Sequence, residues 1–168
     1  MRLFCAIDLS DTMKEALTGI LRDMKKNGVK GNYTKRENFH ITLAFIGEYP
    51  DPDSVIDTLE AVRFAPFDLS LEGVGSFGSL WWAGLSRSEE LAKLAKSVRH
   101  VLADAEIPFD RKKFSPHITL IRQPNREIIP PVEIPKKKMT VQAFSLFRSD
   151  RGKDGVIYTE IASFNGDR

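Results

Sequence analysis

Short apolar runs and amphipathic stretches alternate along the whole chain. Leu3 to Leu9 is an apolar run typical of a buried strand, and from Thr12 apolar residues recur at helical spacing until Asn27-Gly28 ends the pattern. The glycine-rich segment Gly73 to Gly78 is predicted to be a turn. Further strands are predicted at Phe39 to Ile46, Phe67 to Leu71, Leu80 to Leu85, Met139 to Phe147 and Val156 to Phe164, and further helices from Pro52 to near Pro66 and from Ser88 to before Pro108.

One four-residue sequence, His-Ile-Thr-Leu, occurs twice, at positions 40–43 and 117–120. On a strand, alternate residues share a face, so His40 points the same way as Thr42, and His117 the same way as Thr119. The intervening apolar residues can anchor each strand in a core. If the two strands face one cleft, two imidazoles and two hydroxyls surround a small substrate. The predicted elements fall into two strand-helix-strand halves with one motif each, which indicates an internal pseudo-repeat.

Length, charge and cysteine content limit the class of protein. A chain of 168 residues suits a single domain, over residues 1–168, made of one unit or of two small lobes that share a core. Its net charge is only +2, so the overall charge does not by itself indicate a nucleic-acid partner. Cys5 is the only cysteine, which excludes an internal disulfide and a thiolate zinc site. The start does not resemble a signal peptide and no run approaches membrane-spanning length, so we expect a cytoplasmic protein without membrane contact.

Two histidines that share a cleft can perform acid–base catalysis. An imidazole has an ordinary pKa of about 6.5, so near neutral pH one ring can accept a proton while the other donates one. This is what in-line displacement at phosphorus requires: one histidine activates water, and the other protonates the departing oxygen. The threonine hydroxyls and a nearby arginine can hold phosphate oxygens. The scheme needs no metal and no cofactor.

Two other classes of protein, a non-catalytic RNA-binding module and a metal-dependent hydrolase, are alternatives to this hypothesis. A lone histidine in a strand is usually structural, and a module that binds RNA ends without turning them over would not depend on either imidazole. Two histidines in identical frames favour catalysis instead. A metal-dependent hydrolase needs clustered ligands, but the three histidines are dispersed along the sequence, and Asp8 is the only acid near a predicted strand end.

Several blocks of sequence resemble one known superfamily. The most specific are Glu37 to Leu43, Gly73 to Phe77, Trp82 to Leu85 and Phe114 to Leu120. With the opening Arg2 to Leu9, they resemble the 2H phosphoesterase superfamily and, within it, the prokaryotic RNA 2′,3′-cyclic phosphodiesterases, also called 2′-5′ RNA ligases. The resemblance implies a bilobal, pseudo-symmetric α+β fold in which two antiparallel sheets line a central cleft and the helices lie outside. It also implies hydrolysis of RNA 2′,3′-cyclic phosphate ends to 2′-phosphomonoesters.

The resemblance also implies roles for individual residues. His40 matches the proton donor to the leaving oxygen, His117 matches the base that activates water, and Thr42 and Thr119 match the residues that hold the phosphate. Arg122 matches a substrate-binding arginine, although strict alternation would place it on the face opposite His117, unless a bulge or strand end intervenes.

The remaining expectations concern the substrate and its partners. Phe4 is a candidate for stacking on a base, with an ordinary core role as the alternative. The expected ligands are RNA with 2′,3′-cyclic phosphate ends or small cyclic nucleotides, bound by a monomer that needs no protein partner. Ligation through a 2′-5′ linkage, the reverse of the same chemistry, stays open as an alternative. Arg36, Arg111, Lys112 and Lys113 are expected to be solvated, and they could guide RNA phosphates.

Overall fold

Nine strands and three α-helices make up the fold of residues 1–167. A computed structural model describes residues 1–167. The helices are α1 (Asp11–Lys26), α2 (Pro52–Leu59) and α3 (Glu89–Asp104). The strands are β1 (Arg2–Asp8), β2 (Asn32–Tyr33), β3 (His40–Glu48), β4 (Phe67–Phe77), β5 (Leu80–Leu85), β6 (Ile118–Arg122), β7 (Lys138–Val141), β8 (Ala143–Gly152) and β9 (Gly155–Asn165).

The strands form two antiparallel sheets, as predicted for an α+β fold. One sheet has the order β3-β1-β8-β9 and the other β2-β6-β5-β4-β7. The first motif therefore lies in one sheet, on β3, and the second motif lies in the other, at the start of β6. Helix α3 lies against β3 and α2, and one hydrophobic core connects both sheets with the helices. None of the helices within residues 1–167 combines the length and apolar character needed to cross a membrane.

Serine side chains cap the starts of two helices. Ser10 accepts a hydrogen bond from the backbone of Met13 at the start of α1, and Ser88 caps α3 in the same way. Helix α2 begins as predicted but ends at Leu59 rather than near Pro66. Just beyond this end, the guanidinium of Arg63 donates to the carbonyl of the C-cap residue Glu60 at 2.7 Å, which satisfies a carbonyl that the helix leaves without a partner.

Most of the glycine-rich segment, from Gly73 to Phe77, is part of a strand, and only Gly78 lies in the turn that was predicted for all of it. Strand β4 continues to Phe77 with a register shift between Leu71 and Val74, and the turn to β5 follows Phe77 directly. Gly75 makes room for the indole of Trp82, because a Cβ atom at this position would clash with that ring. Close approach of a side chain, rather than a turn, therefore accounts for this glycine.

The predicted strand from Met139 to Phe147 is two strands in different sheets. Strand β7 pairs with β4 in the second sheet, whereas β8 pairs with β1 and β9 in the first. The chain crosses between the sheets at Gln142, which belongs to neither strand. The two sequence halves therefore do not match the two sheets: the β8–β9 hairpin returns to the first sheet, and β2 from the first half pairs with β6.

Candidate active site

The imidazole of His40 is held by its own strand. Its Nδ1 lies 2.7 Å from the carbonyl oxygen of Asn38, and its Nε2 lies 2.9 Å from the hydroxyl of Thr42. Since a carbonyl only accepts hydrogen bonds, Nδ1 carries a proton, and Nε2 is the basic atom of the neutral ring. The register with β1 places His40 opposite Asp8 and Thr42 opposite Ala6, so both motif side chains share one face of the first sheet.

Two aromatic rings contact the imidazole of His40. The Phe4 ring lies 5.1 Å from it, and the Tyr158 ring lies 5.2 Å from it at an interplanar angle of 89°. Phe147 stacks on Phe4 in turn, at 5.4 Å. Phe4 is only 4% exposed, because the imidazole and the rings of Phe147 and Tyr158 cover it.

The second motif holds its histidine in the same way. His117 lies immediately before β6, and its Nδ1 is 2.7 Å from the carbonyl oxygen of Ser115, again two residues earlier in the chain. The ring of Phe77 lies 5.1 Å from the imidazole at 86°. Thr119 is partly buried and lies opposite Trp82 of β5. Both histidines therefore carry the proton on Nδ1 when neutral, and each has Nε2 as its basic atom.

A β-bulge determines the face on which Arg122 lies. Thr119 pairs with Trp82 and Arg122 pairs with Leu80, although the first two are three residues apart on β6 and their partners only two apart on β5. Leu120 is the extra residue on β6. Since Leu80 and Trp82 share a face of β5, Arg122 lies on the same face as Thr119. Strict alternation along the strand predicted the opposite face for Arg122, and this prediction is wrong because the bulge shifts the alternation by one residue.

Electrostatic effects on His40 show that the two motifs share one space. Burial lowers the pKa of His40 below its ordinary value, and the hydrogen bond to Asn38 acts in the opposite direction. The positive charges of His117 and Arg122 lower this pKa further, whereas the charge of Asp8 raises it. The structure therefore brings His117 and Arg122 of the second motif segment within electrostatic reach of His40.

Arg99 ties the two motif segments together. Its Nε donates to the Leu43 carbonyl at 3.0 Å, and its Nη1 donates to the Lys112 carbonyl at 2.7 Å. The backbone N–H of Asp110 also donates to the Phe45 carbonyl at 2.8 Å. The loop that leads to His117 is thereby fastened to the strand that carries His40. These bonds limit how far the two histidines can move apart.

Other reactive groups lie outside this cleft. Among residues 1–167, no three His, Cys, Asp or Glu side chains come together in a way that could hold a metal ion. Cys5 is fully buried on β1, and burial raises the pKa of its thiol to about 12. The reactive groups of the two motif segments are the imidazoles, the threonine hydroxyls and the guanidinium of Arg122.

Comparison with known proteins identifies the family. The sequence model of the 2′-5′ RNA ligase superfamily matches residues 13–153. The chain belongs to this superfamily. Two curated relatives are both named RNA 2′,3′-cyclic phosphodiesterase. The protein of Archaeoglobus fulgidus is 35% identical, with 98% of this chain and 99% of the relative covered. The protein of Thermotoga maritima is 30% identical, with 94% and 91% covered.

Solved structures of superfamily proteins have the same fold. The crystal structure of E. coli LigT complexed with 3′-AMP matches with a TM-score of 0.88 and 26% identity, over 99% of this chain and 98% of that one. The Thermus thermophilus protein TT0787 matches with a TM-score of 0.84 and 28% identity, over the full length of both chains. These comparisons confirm the resemblance and the fold that the sequence indicated.

Two aromatic residues beside the histidines of this superfamily member were missed by sequence reasoning. Tyr158 contacts His40 from β9, and Phe77 contacts His117 from the end of β4. Tyr158 lies in a predicted strand, and Phe77 lies in one of the blocks that resemble the superfamily. Only the pairing of strands shows which aromatic ring contacts which histidine. The neighbouring residues Trp81 and Trp82 lie on opposite faces of β5: Trp81 is 1% exposed, whereas Trp82 is partly buried beside Phe77.

The lowered pKa of His40 predicts how stability depends on pH. The folded protein holds this proton less tightly than the unfolded chain, whose histidine titrates near about 6.5. The resulting stability is present above that pH and is lost as pH falls toward the folded-state pKa. We expect the free energy of unfolding, measured by urea denaturation, to fall between neutral pH and the folded-state pKa, and the fall to be smaller in His40→Gln.

The matched control for this pH effect is His100→Gln, since His100 is exposed on α3 and bonds Asp104. That variant should keep the decrease that His40 causes. An NMR titration in which His40 titrates at or above the ordinary histidine value would contradict the prediction.

Proposed function

We propose that this chain hydrolyses RNA 2′,3′-cyclic phosphate ends to 2′-phosphomonoesters, with His40 and His117 as its acid–base pair. One observation carries the proposal. Each imidazole donates from Nδ1 to the carbonyl two residues before it, and each histidine is followed two residues later by a threonine, which in the first motif lies on the same face as its histidine. The names of the curated relatives support the same activity and substrate.

The proposed reaction is a single in-line displacement at phosphorus. The Nε2 atom of neutral His117 removes a proton from water while the water oxygen bonds to phosphorus. The bond from phosphorus to the ribose 3′-oxygen breaks on the opposite side, and protonated His40 gives its Nε2 proton to that oxygen. The 2′-oxygen keeps its phosphate. At the end of the step His117 is protonated and His40 is neutral. The assignment of donor and acceptor follows the family resemblance.

The bound phosphate supplies the charge that His40 needs as a donor. In the free protein its lowered pKa favours the neutral ring. An anionic cyclic phosphate beside Nε2 stabilises the protonated ring, because an opposite charge at close range favours the charged form. Substrate binding thereby prepares the acid, and the free site does not hold an isolated buried charge.

The threonines and Arg122 are proposed to hold the phosphate. The hydroxyl of Thr42 lies 2.9 Å from Nε2 of His40, so it lies where a non-bridging oxygen would meet the donor. Thr119 has the equivalent place in the second motif. Arg122, which the bulge turns to the same face as Thr119, adds a planar guanidinium that can bind two oxygens at once. No metal ion has a part in this scheme.

Hydrolysis of an oligoribonucleotide with a 2′,3′-cyclic phosphate end, in the presence of a chelator, tests the proposal. We expect turnover that the chelator does not reduce, with the product end mapped as a 2′-phosphate. A 3′-phosphate product would mean that the 2′-oxygen, and not the 3′-oxygen, is the leaving group. Activity abolished by the chelator and restored by a divalent cation would overturn the metal-independent scheme, and RNA binding without any turnover would favour a binding module.

A further inference from the structure

A second concavity lies outside the cleft of the two histidines. This groove has a volume of about 880 Å³ and lies between α3, the end of α2 and the loop of residues 109–114. We call it the α3 groove. None of its lining residues is Asp or Glu. Six of them are basic or histidine side chains: Arg63, Lys96, Arg99, His100, Arg111 and Lys113.

Most of these cations lack an ionic partner. Within residues 1–167, no carboxylate oxygen lies within 4.0 Å of the side-chain nitrogens of Arg63, Lys96, Arg111 or Lys113. Two acids lie beside the groove: Asp104 is 3.2 Å from His100, and Asp110, which accepts from the Lys112 backbone at 2.9 Å, acts on Arg99 by raising its pKa. The chain as a whole carries a net charge of only +2, so the groove concentrates positive charge locally.

Aromatic side chains lie among these cations. Phe109 and Phe114 are partly buried and line the groove. The guanidinium of Arg111 lies 4.3 Å above the Phe109 ring, and that of Arg99 lies 5.7 Å from the Phe114 ring. Proteins that bind single-stranded nucleic acid combine cations along the phosphates with aromatic and guanidinium planes on which bases stack. The α3 groove has both kinds of group.

The groove and the active site share one loop. Phe114 lines the groove, and His117 follows it by three residues, which span at most about 11 Å between Cα atoms. Ser115, between them, accepts the hydrogen bond from His117. Arg99 holds this loop in place by its hydrogen bond to the Lys112 carbonyl. The position of Phe114 relative to His117 is therefore restricted.

We propose that the α3 groove binds single-stranded RNA, holding the nucleotides that precede the 2′,3′-cyclic phosphate end. This inference rests on the proposed function, which places that end between His40 and His117. The groove volume is in the range of ordinary ligand sites, about 300–1,000 Å³, and is suited to a short stretch of RNA rather than a folded domain. An oligoribonucleotide therefore makes contacts that a mononucleotide cannot make.

A pair of charge reversals tests the proposal. The variant Lys96→Glu/Lys113→Glu changes the groove, and Lys136→Glu/Lys137→Glu makes the same change of charge on the connection between β6 and β7. Each is assayed on a mononucleoside 2′,3′-cyclic phosphate and on a short oligoribonucleotide with the same end. For the groove variant we expect kcat/KM on the oligoribonucleotide to fall roughly tenfold or more, through KM, and the salt dependence to weaken by about 1.4 in log–log slope for two lost phosphate contacts.

The mononucleotide separates the possible outcomes. We expect both variants to turn it over at the wild-type rate, and the control variant to keep its activity on the oligoribonucleotide. Equal losses on both substrates would mean that the lysines act on the active site or on folding. Equal losses in both variants would mean an effect of net charge alone. An unchanged rate on the oligoribonucleotide would mean that the groove binds another ligand, such as an acidic protein. Each of these three results overturns the proposal.

A direct binding measurement keeps the groove proposal separate from the proposed function. If the wild-type protein hydrolyses neither substrate, the proposed function fails. Fluorescence anisotropy with a labelled oligoribonucleotide that ends in a 2′-phosphate then decides about the groove. Weaker binding by Lys96→Glu/Lys113→Glu alone would support an RNA site, and equal binding by all three proteins would overturn it.

Discussion

Replacing His40 with alanine is expected to lower kcat for a 2′,3′-cyclic phosphate by about 10²–10⁴-fold, and His117→Ala is expected to cause a loss of the same order. Each substitution removes one proton-transfer group of the pair. The combined variant should be little worse than either single variant, because groups that act as a unit do not contribute additively. Thermal unfolding of each variant checks that the fold is retained. A single variant with near wild-type kcat would exclude its histidine from the proton transfers.

A substrate with sulfur in place of the bridging 3′-oxygen distinguishes the two roles. A thiol has a pKa of about 8.5, so a thiolate can depart without receiving a proton. His40→Ala should therefore recover much of the wild-type rate on this substrate. His117→Ala should stay slow, because water still needs a base. Recovery in His117→Ala instead would exchange the roles of donor and acceptor, and recovery in neither variant would show that neither histidine protonates the leaving group.

The sequence was most informative where structure depends on local patterns. The boundaries of α1 and α3 follow from apolar periodicity and from the caps Ser10 and Ser88. The repeated motif identified both histidines, because identical frames on two strands are specific where a single histidine is not. The side of the strand on which each motif presents its histidine also followed from alternation alone.

Strand pairing was harder to predict because it depends on residues far apart in the sequence. The change of sheet at Gln142 interrupts an apolar run that looks continuous, since both β7 and β8 need alternating apolar residues. The bulge at Leu120 is equally invisible in the sequence, where Leu120 and Ile121 read as two ordinary strand residues. Both are fully buried, which an unbroken strand would not allow on a sheet with one polar face. This bulge brings Arg122 to the active-site face.

Replacing Arg122 with methionine is expected to lower kcat/KM by about 10²–10³-fold, the loss typical of removing a charge-stabilising donor from a site. The guanidinium lies on the face of Thr119 and its charge reaches His40. It is therefore placed to stabilise the negative charge that builds up on phosphate oxygens in the transition state. Arg122→Lys keeps the charge but loses the planar fork, so its activity should lie between those of the wild-type protein and the methionine variant.

The pKa of His40 gives Arg122 a second, independent readout. Because the charge of Arg122 lowers this pKa, Arg122→Met should raise it, whereas Arg122→Lys should leave it nearly unchanged. An NMR titration of the histidine rings measures both shifts, and Arg87→Met, at an exposed position before α3, controls for the loss of one positive charge. A loss of activity without the rise in pKa would mean that Arg122 acts through the fold of β6. Both changes together would mean that the guanidinium acts in the cleft, beside the group that donates the proton.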